Sequence, residues 1–152
     1  MIKILFICHG NICRSPMAEF ILKDMVEKQG RADEFYIESA ATSTEEIWHG
    51  VGNPVYPPAR DILAKHGITC EGKRARQVKY EDYDKFDLLI AMDSNNIRNL
   101  RKLIPEDTEG KVHLMMEYAG QKRDVADPWY TGNFQKTWDD IYLACGQLLK
   151  NL

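Results

Sequence analysis

Apolar positions along the chain follow two rhythms. Four short runs are dominated by apolar or β-branched residues, Lys3 to Cys8, Phe35 to Ser39, Asp87 to Met92 and Lys111 to Met115, and turn residues or charges bound most of them. Runs of that length and content predict buried strands. Between them the apolar residues recur at spacings of three and four. After Ser15-Pro16, a cap residue followed by proline at the first helical position, come Met17, Phe20, Ile21, Met25 and Val26, which predicts a helix. Pro58 to His66 carries Ile62 and Leu63 and stops at Gly67, as a helix closed by a left-handed cap does. Ser94 to Leu103 runs through Ile97, Leu100 and Leu103 until Pro105 ends it, and Asn133 to Leu149 aligns Phe134, Trp138, Ile141, Tyr142, Cys145 and Leu148 on one face.

Strands alternating with helices predict an α/β fold: a single domain over residues 1–152, built on a doubly wound four-stranded parallel sheet with helices on both faces. Ligands in such folds sit beyond the carboxyl ends of the strands. The loop from Cys8 to Ser15 leaves the first strand there, so an N-terminal phosphate-binding loop is the expected site. Two irregular stretches, Thr42 to Pro57 and Glu117 to Thr131, are long enough to be functional loops.

Composition narrows the class. At 152 residues, 44% hydrophobic and 28% charged, the chain has the profile of one soluble globular domain. The 20 Lys and Arg against 23 Asp and Glu leave a net charge of -3 with the signs intermixed, which speaks against a general nucleic-acid binder. The first apolar stretch, Ile4 to Cys8, is cut off by His9 and Gly10. It is too short for a signal peptide or a membrane span, so the expectation is no membrane insertion and a cytoplasmic location. Four cysteines are too few for a disulfide-stapled scaffold and invite a chemical reading.

That reading centres on Cys8-His9-Gly10-Asn11-Ile12-Cys13-Arg14-Ser15. A tight loop between strand and helix can turn several backbone N–H groups inward, and the helix N-terminus adds positive potential, so the segment suits an anion. Arg14 adds a fork of donors matched to two phosphate oxygens. In that field the thiolate form of Cys8 is favoured, and a thiolate facing bound phosphate is a phosphoryl-transfer nucleophile. Other readings fit less well. Gly10 is the loop's only glycine and no lysine follows it, unlike the Walker and dinucleotide patterns. Neither Cys70 nor Cys145 has a nearby Cys or His to complete a zinc site. Four residues separate Cys8 from Cys13, so there is no Cys-x-x-Cys redox pair either. No metal or cofactor is expected.

The chain resembles the low-molecular-weight protein tyrosine phosphatases, whose signature is a Cys, five residues, Arg and Ser near the N-terminus. The likeness extends from Gly10–Pro16 with Ala18-Glu19 through Ser39-Ala40-Ala41-Thr42, His66-Gly67-Ile68 and Ala91-Met92-Asp93 to Asp127-Pro128-Trp129-Tyr130. The resemblance implies that Cys8 is the nucleophile and that Asp127 protonates the tyrosine oxygen, then acts as base on the hydrolytic water. On its own, an Asp before Pro is more commonly a turn former. Ser15 matches the hydroxyl that bonds the nucleophile's sulfur. Asn11, Ser39 and His66 match a network that braces the loop. Cys13 matches a second loop cysteine able to form a reversible disulfide with Cys8. Trp48, Trp129 and Tyr130 match aromatic walls deep enough for phosphotyrosine. The implied partner is a phosphotyrosine-containing protein, and the implied assembly is a monomer or weak dimer.

Three rivals are weighed against this. An arsenate reductase of the same fold adds two resolving cysteines in a later segment, whereas Cys70 stands alone and Cys145 lies in the last helix. A related phosphoarginine branch carries threonine at the position of Ile12. A pure phosphate-binding module needs no Asp127. Two departures stand out. His9 occupies a position where many members have Leu, Thr or Val, and the segment from Thr42 to Trp48 is longer than usual, which bears on where Trp48 falls.

Overall fold

The computed structural model describes residues 1–152. The first strand, β1 (Ile2–Cys8), feeds through the Cys8–Ser15 loop into α1 (Arg14–Lys28), and β2 (Phe35–Ala41) follows. Next come a two-strand hairpin, β3 (Ile47–Trp48) and β4 (Val51–Gly52), and the helix α2 (Pro57–Lys65). The second half runs through a single-turn helix α3 (Asp82–Lys85), β5 (Leu88–Ala91), α4 (Ser94–Leu103), β6 (Val112–Leu114), another single turn α5 (Pro128–Thr131) and α6 (Phe134–Lys150). The four main strands pair in the order β2-β1-β5-β6, all parallel. The expected doubly wound parallel sheet is what forms.

Alternation along β1 explains the two layers, since successive side chains on a strand point to opposite faces. Ile4, Phe6 and Cys8 enter a core of 27 buried residues shared with α1, α2 and α6, while Leu5 and Ile7 enter one of nine shared with α3 and α4. The uneven split leaves β1 buried from Ile4 onward and its last residue, Cys8, at the edge of the larger core. Because β2 and β5 flank β1 on opposite sides, the chain reverses its winding direction at β1. A crevice opens at such a switch point, and the loops after β1 and β5 meet in it.

Several boundaries differ from the sequence reading. α1 starts at Arg14, with Cys13 as the N-cap residue and no side-chain cap, so Ser15 lies inside the first turn instead of capping it. Proline is tolerated there because first-turn N–H groups have no intrahelical acceptor. Ser15 is thereby freed for another partner. The predicted loop Thr42–Pro57 contains the hairpin, whose two-residue turn His49-Gly50 has both φ angles positive, 49° and 77°. That geometry matches the right-handed twist of the strands. Gly52 anchors the hairpin, since a Cβ on it would lie 1.9 Å from the Ala75 carbonyl oxygen.

α6 departs from its apolar pattern in a useful way. Tyr142 is 52% exposed, whereas Thr137 and Asp140 are buried. Asp140 accepts two bonds from Arg123, at 2.9 and 2.8 Å, and one from Lys136 at 3.1 Å. Asp124 in turn holds Ser94 at the start of α4. The predicted loop Glu117–Thr131, which leads to Asp127, is thus tied to two helices. The Arg123 hydrogen bonds hold the Asp140 carboxyl below its ordinary range, with burial opposing them. A carboxylate depressed in the folded state contributes stability above its unfolded pKa, about 3.9, and loses it as pH falls through the lower folded value. Asp140→Asn should therefore cost about 1.5–3 kcal/mol at pH 7, the range for hydrogen bonds to charged groups. In urea unfolding the gap to the unaltered protein should be wide at pH 7 and narrow near pH 2.

Candidate active site

The Cys8–Ser15 loop is shaped by where its carbonyls go. The carbonyls of Cys8 and His9 accept the N–H groups of Thr42 and Ser43 at 3.0 and 3.1 Å, that of Ile12 accepts from Tyr56 at 2.8 Å, and that of Cys13 accepts from Met17 at 3.0 Å. Ser43 Oγ adds a second bond to the His9 carbonyl at 2.9 Å. With these four carbonyls bonded to neighbouring segments, the N–H groups of Gly10, Ile12 and Cys13 are left without a protein acceptor. Unpaired N–H groups beside a helix N-terminus are the kind of donor set that suits an anion.

Asn11 is the pivot of that arrangement. Its φ is 60°, in the left-handed region, where Asn is tolerated better than most residues. Its Nδ2 donates to Ser15 Oγ at 2.8 Å and to Ser39 Oγ at 2.9 Å, its Oδ1 accepts from the Arg76 N–H at 3.2 Å, and its own N–H reaches Cys8 Sγ at 3.3 Å. Ser15 Oγ lies 3.0 Å from Cys8 Sγ. Because that oxygen already accepts from Asn11, its hydrogen is free to point at the sulfur. Cys8 Sγ therefore has two donors within reach.

Behind Asn11 the network continues to residues the sequence reading missed. Ser39 Oγ donates to Glu19 Oε1 at 2.6 Å. Glu19 also meets Lys23 at 2.6 Å and Lys73 at 3.4 Å, and Lys73 donates to the Ser39 carbonyl at 2.8 Å. Burial pulls the Lys73 ammonium below its ordinary range, with Glu19 opposing that shift. His66, expected in this network, is not part of it. It closes α2 and stacks on Trp138 at 3.8 Å between ring centroids. The helix-end histidine and the aromatic on α6 meet because the two helices pack together, and Glu19 and Lys73 brace the loop instead. Removing the anion of a buried pair strands its cation. Glu19→Gln is thus expected to lower stability by about 3 kcal/mol in denaturant unfolding, the lower end for a broken buried pair because Lys23 is half exposed.

Arg14 is 2% exposed. One guanidinium nitrogen, Nη1, donates to Asp93 at 2.7 Å and to the Val125 carbonyl at 2.8 Å, and the other, Nη2, lies 3.5 Å from Asp127. Burial opposes its charge, but Cys8, Asp93 and Asp127 outweigh burial and raise its pKa. Asp93 is held in turn, as N-cap of α4 in a reciprocal capping box with Asn96. Asp127 caps α5 by accepting the Trp129 N–H at 3.1 Å. The turn-forming role of an Asp before Pro and a place beside the arginine coexist in one residue.

These residues line a cavity of about 150 Å³. Cys8, Cys13 and Arg14 form its floor with Gly10 and Ile12, while His9, Glu45, Glu46, Asp127, Trp129 and Tyr130 surround its mouth. Trp129 packs on Tyr56 at 4.8 Å between centroids, and Tyr130 is 85% exposed. Trp48 is not on the wall. It sits on the hairpin beside its turn, 69% exposed, across from Val51, because the lengthened segment brings Glu45 and Glu46 to the mouth first. Burial, together with Cys8, pushes the Cys13 thiol well above its ordinary range.

The family model described as low molecular weight phosphotyrosine protein phosphatase matches residues 3–152. The chain belongs to that family. It is 40% identical over 154 residues to the low molecular weight protein-tyrosine-phosphatase YfkJ of Bacillus subtilis, covering 100% of this chain and 96% of the relative. The crystal structure of YfkJ superposes with a TM-score of 0.92 at 39% identity, covering 99% of this chain and 94% of that one. The low molecular weight protein tyrosine phosphatase of Streptococcus pyogenes gives 0.87 at 38% identity, over 100% and 93% of the two chains. A Drosophila arginine phosphatase gives the same 0.87 at 30% identity, over 99% and 97%. Backbone likeness alone does not select the phosphoamino acid.

Proposed function

We propose that this member of the phosphatase family hydrolyses phosphotyrosine through a phosphocysteine on Cys8. The observation that carries the reading is a single cavity lined by Cys8, the buried Arg14 and Asp127, with two donors, Ser15 Oγ and the Asn11 N–H, within reach of the Cys8 sulfur. The loop N–H groups and Arg14 hold the phosphate, and the Cys8 thiolate attacks phosphorus in line. The P–O bond breaks as Asp127 delivers a proton to the leaving phenol oxygen, a step that helps because phenol ionises only near pH 10. Asp127, now a carboxylate, takes a proton from the water that attacks phosphocysteine. Phosphate leaves, and Ser15 stabilises the departing thiolate.

Ile12 and the aromatics Trp129 and Tyr130 support tyrosine over phosphoarginine, because they offer apolar contact to a ring. An arsenate-reducing relay fits poorly: Cys70 lines the adjoining groove and not the catalytic cavity, and Cys145 is fully buried in α6 against α1. All four cysteines are free, and a thiol nucleophile needs a reducing compartment, which supports a cytoplasmic setting. No helix is long and apolar enough to cross a membrane.

Cys8→Ser and Arg14→Ala should nearly abolish hydrolysis of an aryl phosphate. Asp127→Ala should slow phosphotyrosine by about 10²–10⁴-fold, the usual span for a general acid, and p-nitrophenyl phosphate much less. Equal slowing of both substrates in steady-state assays would remove Asp127 from the acid role.

Cys13 is read as a guard for the nucleophile. Peroxide converts the Cys8 thiolate to a sulfenic acid, and attack by Cys13 releases water and forms a disulfide that a thiol reductant reopens. Activity lost to brief peroxide should return with dithiothreitol in the unaltered protein. In Cys13→Ser that recovery should be largely lost, while mass spectrometry finds sulfinic acid on Cys8.

A further inference from the structure

Three carboxylates reach the mouth of the catalytic cavity, and two of them are matched. Asp127 faces Arg14, and Glu45 lies 2.9 Å from His9 Nε2. Glu46 has neither a cation nor a hydrogen-bond donor on its carboxylate, although it is only partly exposed. Its backbone is fixed, since its carbonyl accepts the Asn53 N–H at 2.8 Å. Its side chain lies over the phosphate loop, with Cγ 3.2 Å from where a Cβ on Gly10 would stand. Glu46 also belongs to a second groove of about 650 Å³ that shares Ile12 and Trp129 with the catalytic cavity and continues past Pro54 and Tyr56. Glu46 thus lies where the catalytic cavity and that groove meet.

An unmatched carboxylate there repels the phosphate dianion that the loop is built to attract. The repulsion is offset if the substrate brings its own cation to that point. We propose that Glu46 is a specificity-determining residue that receives a lysine or arginine next to the phosphotyrosine, so that the preferred substrates are phosphotyrosines with basic neighbours. The proposal rests on the phosphotyrosine phosphatase reading above and names its substrate class more narrowly. Glu45 contributes less, because His9 already engages it and its side chain is 71% exposed.

The test uses three phosphotyrosine peptides that differ only in the residues on either side of the phosphotyrosine, both Lys, both Gln or both Glu. Rates for each variant are normalised to its own rate on p-nitrophenyl phosphate. For the unaltered protein, kcat/KM should fall from Lys to Gln to Glu, with about a fivefold gap between the Lys and Gln peptides, the upper end for an exposed ion pair. Added salt should narrow that gap, since screening weakens exposed pairs. Glu46→Gln should level the Lys and Gln peptides, and Glu46→Lys should reverse the order. Equal rates for all three peptides with the unaltered protein, or a preference that survives Glu46→Gln, overturns the proposal while leaving the phosphatase reading intact. No turnover of p-nitrophenyl phosphate by the unaltered protein overturns that reading, and this proposal with it.

Discussion

A loop that offers its N–H groups to an anion must send its carbonyls elsewhere, and the rest of this structure is arranged around that requirement. The carbonyls of Cys8 and His9 are received by Thr42 and Ser43 just after β2, that of Ile12 by the approach to α2 and that of Cys13 by the first turn of α1. Asn11 adds the turn the loop cannot make with its lone glycine, and its side chain distributes the strain among Ser15, Ser39 and the Arg76 backbone. Backbone in a sparsely populated region persists only where its surroundings over-determine it. Here three separate partners of one side chain do so.

The electrostatics follow the same economy. A buried guanidinium is costly alone, and Asp93, Asp127 and the Val125 carbonyl share its hydrogens. The same contacts that make Arg14 tolerable also aim it, because a planar fork held on one side presents its remaining donors in a fixed direction. Glu19 performs the matching task behind the loop, where Lys73 and Ser39 converge on it. A chain with a net charge of -3 thus binds an anion by local geometry, and its overall charge says little about its ligand.

Much of this was legible in the sequence, for physical reasons that differ by element. The two central strands, β1 and β5, were visible because strands buried on both faces are nearly continuous apolar runs, and the four long helices because they bury one face. The Cys8–Ser15 loop was visible because its chemistry is concentrated in eight adjacent residues. The hairpin was hidden, since two-residue strands carry no period and His49-Gly50 is a weaker turn signal than Asn-Gly. Glu19 and Lys73 were hidden because a charged residue on a helix or loop ordinarily faces water, and nothing local announces that Ser39 will lie between them. His66 was misplaced for a related reason: a histidine before glycine at a helix end has several uses, and its partner, Trp138, is remote in sequence.

That remoteness has a consequence for how the protein comes into being. The bonds that assemble the site join residues 28, 65, 79 and 113 positions apart, so the loop that reads as a self-contained motif has little to hold it until distant parts of the chain arrive. Non-local contacts of this kind form late, after the entropy of closing long loops has been overcome. On the ribosome, residues 1 to 28 can be synthesised long before Asp93 and Asp127 exist. A nascent chain of this enzyme therefore carries Cys8 early but gains the arrangement of the candidate site around it only near completion.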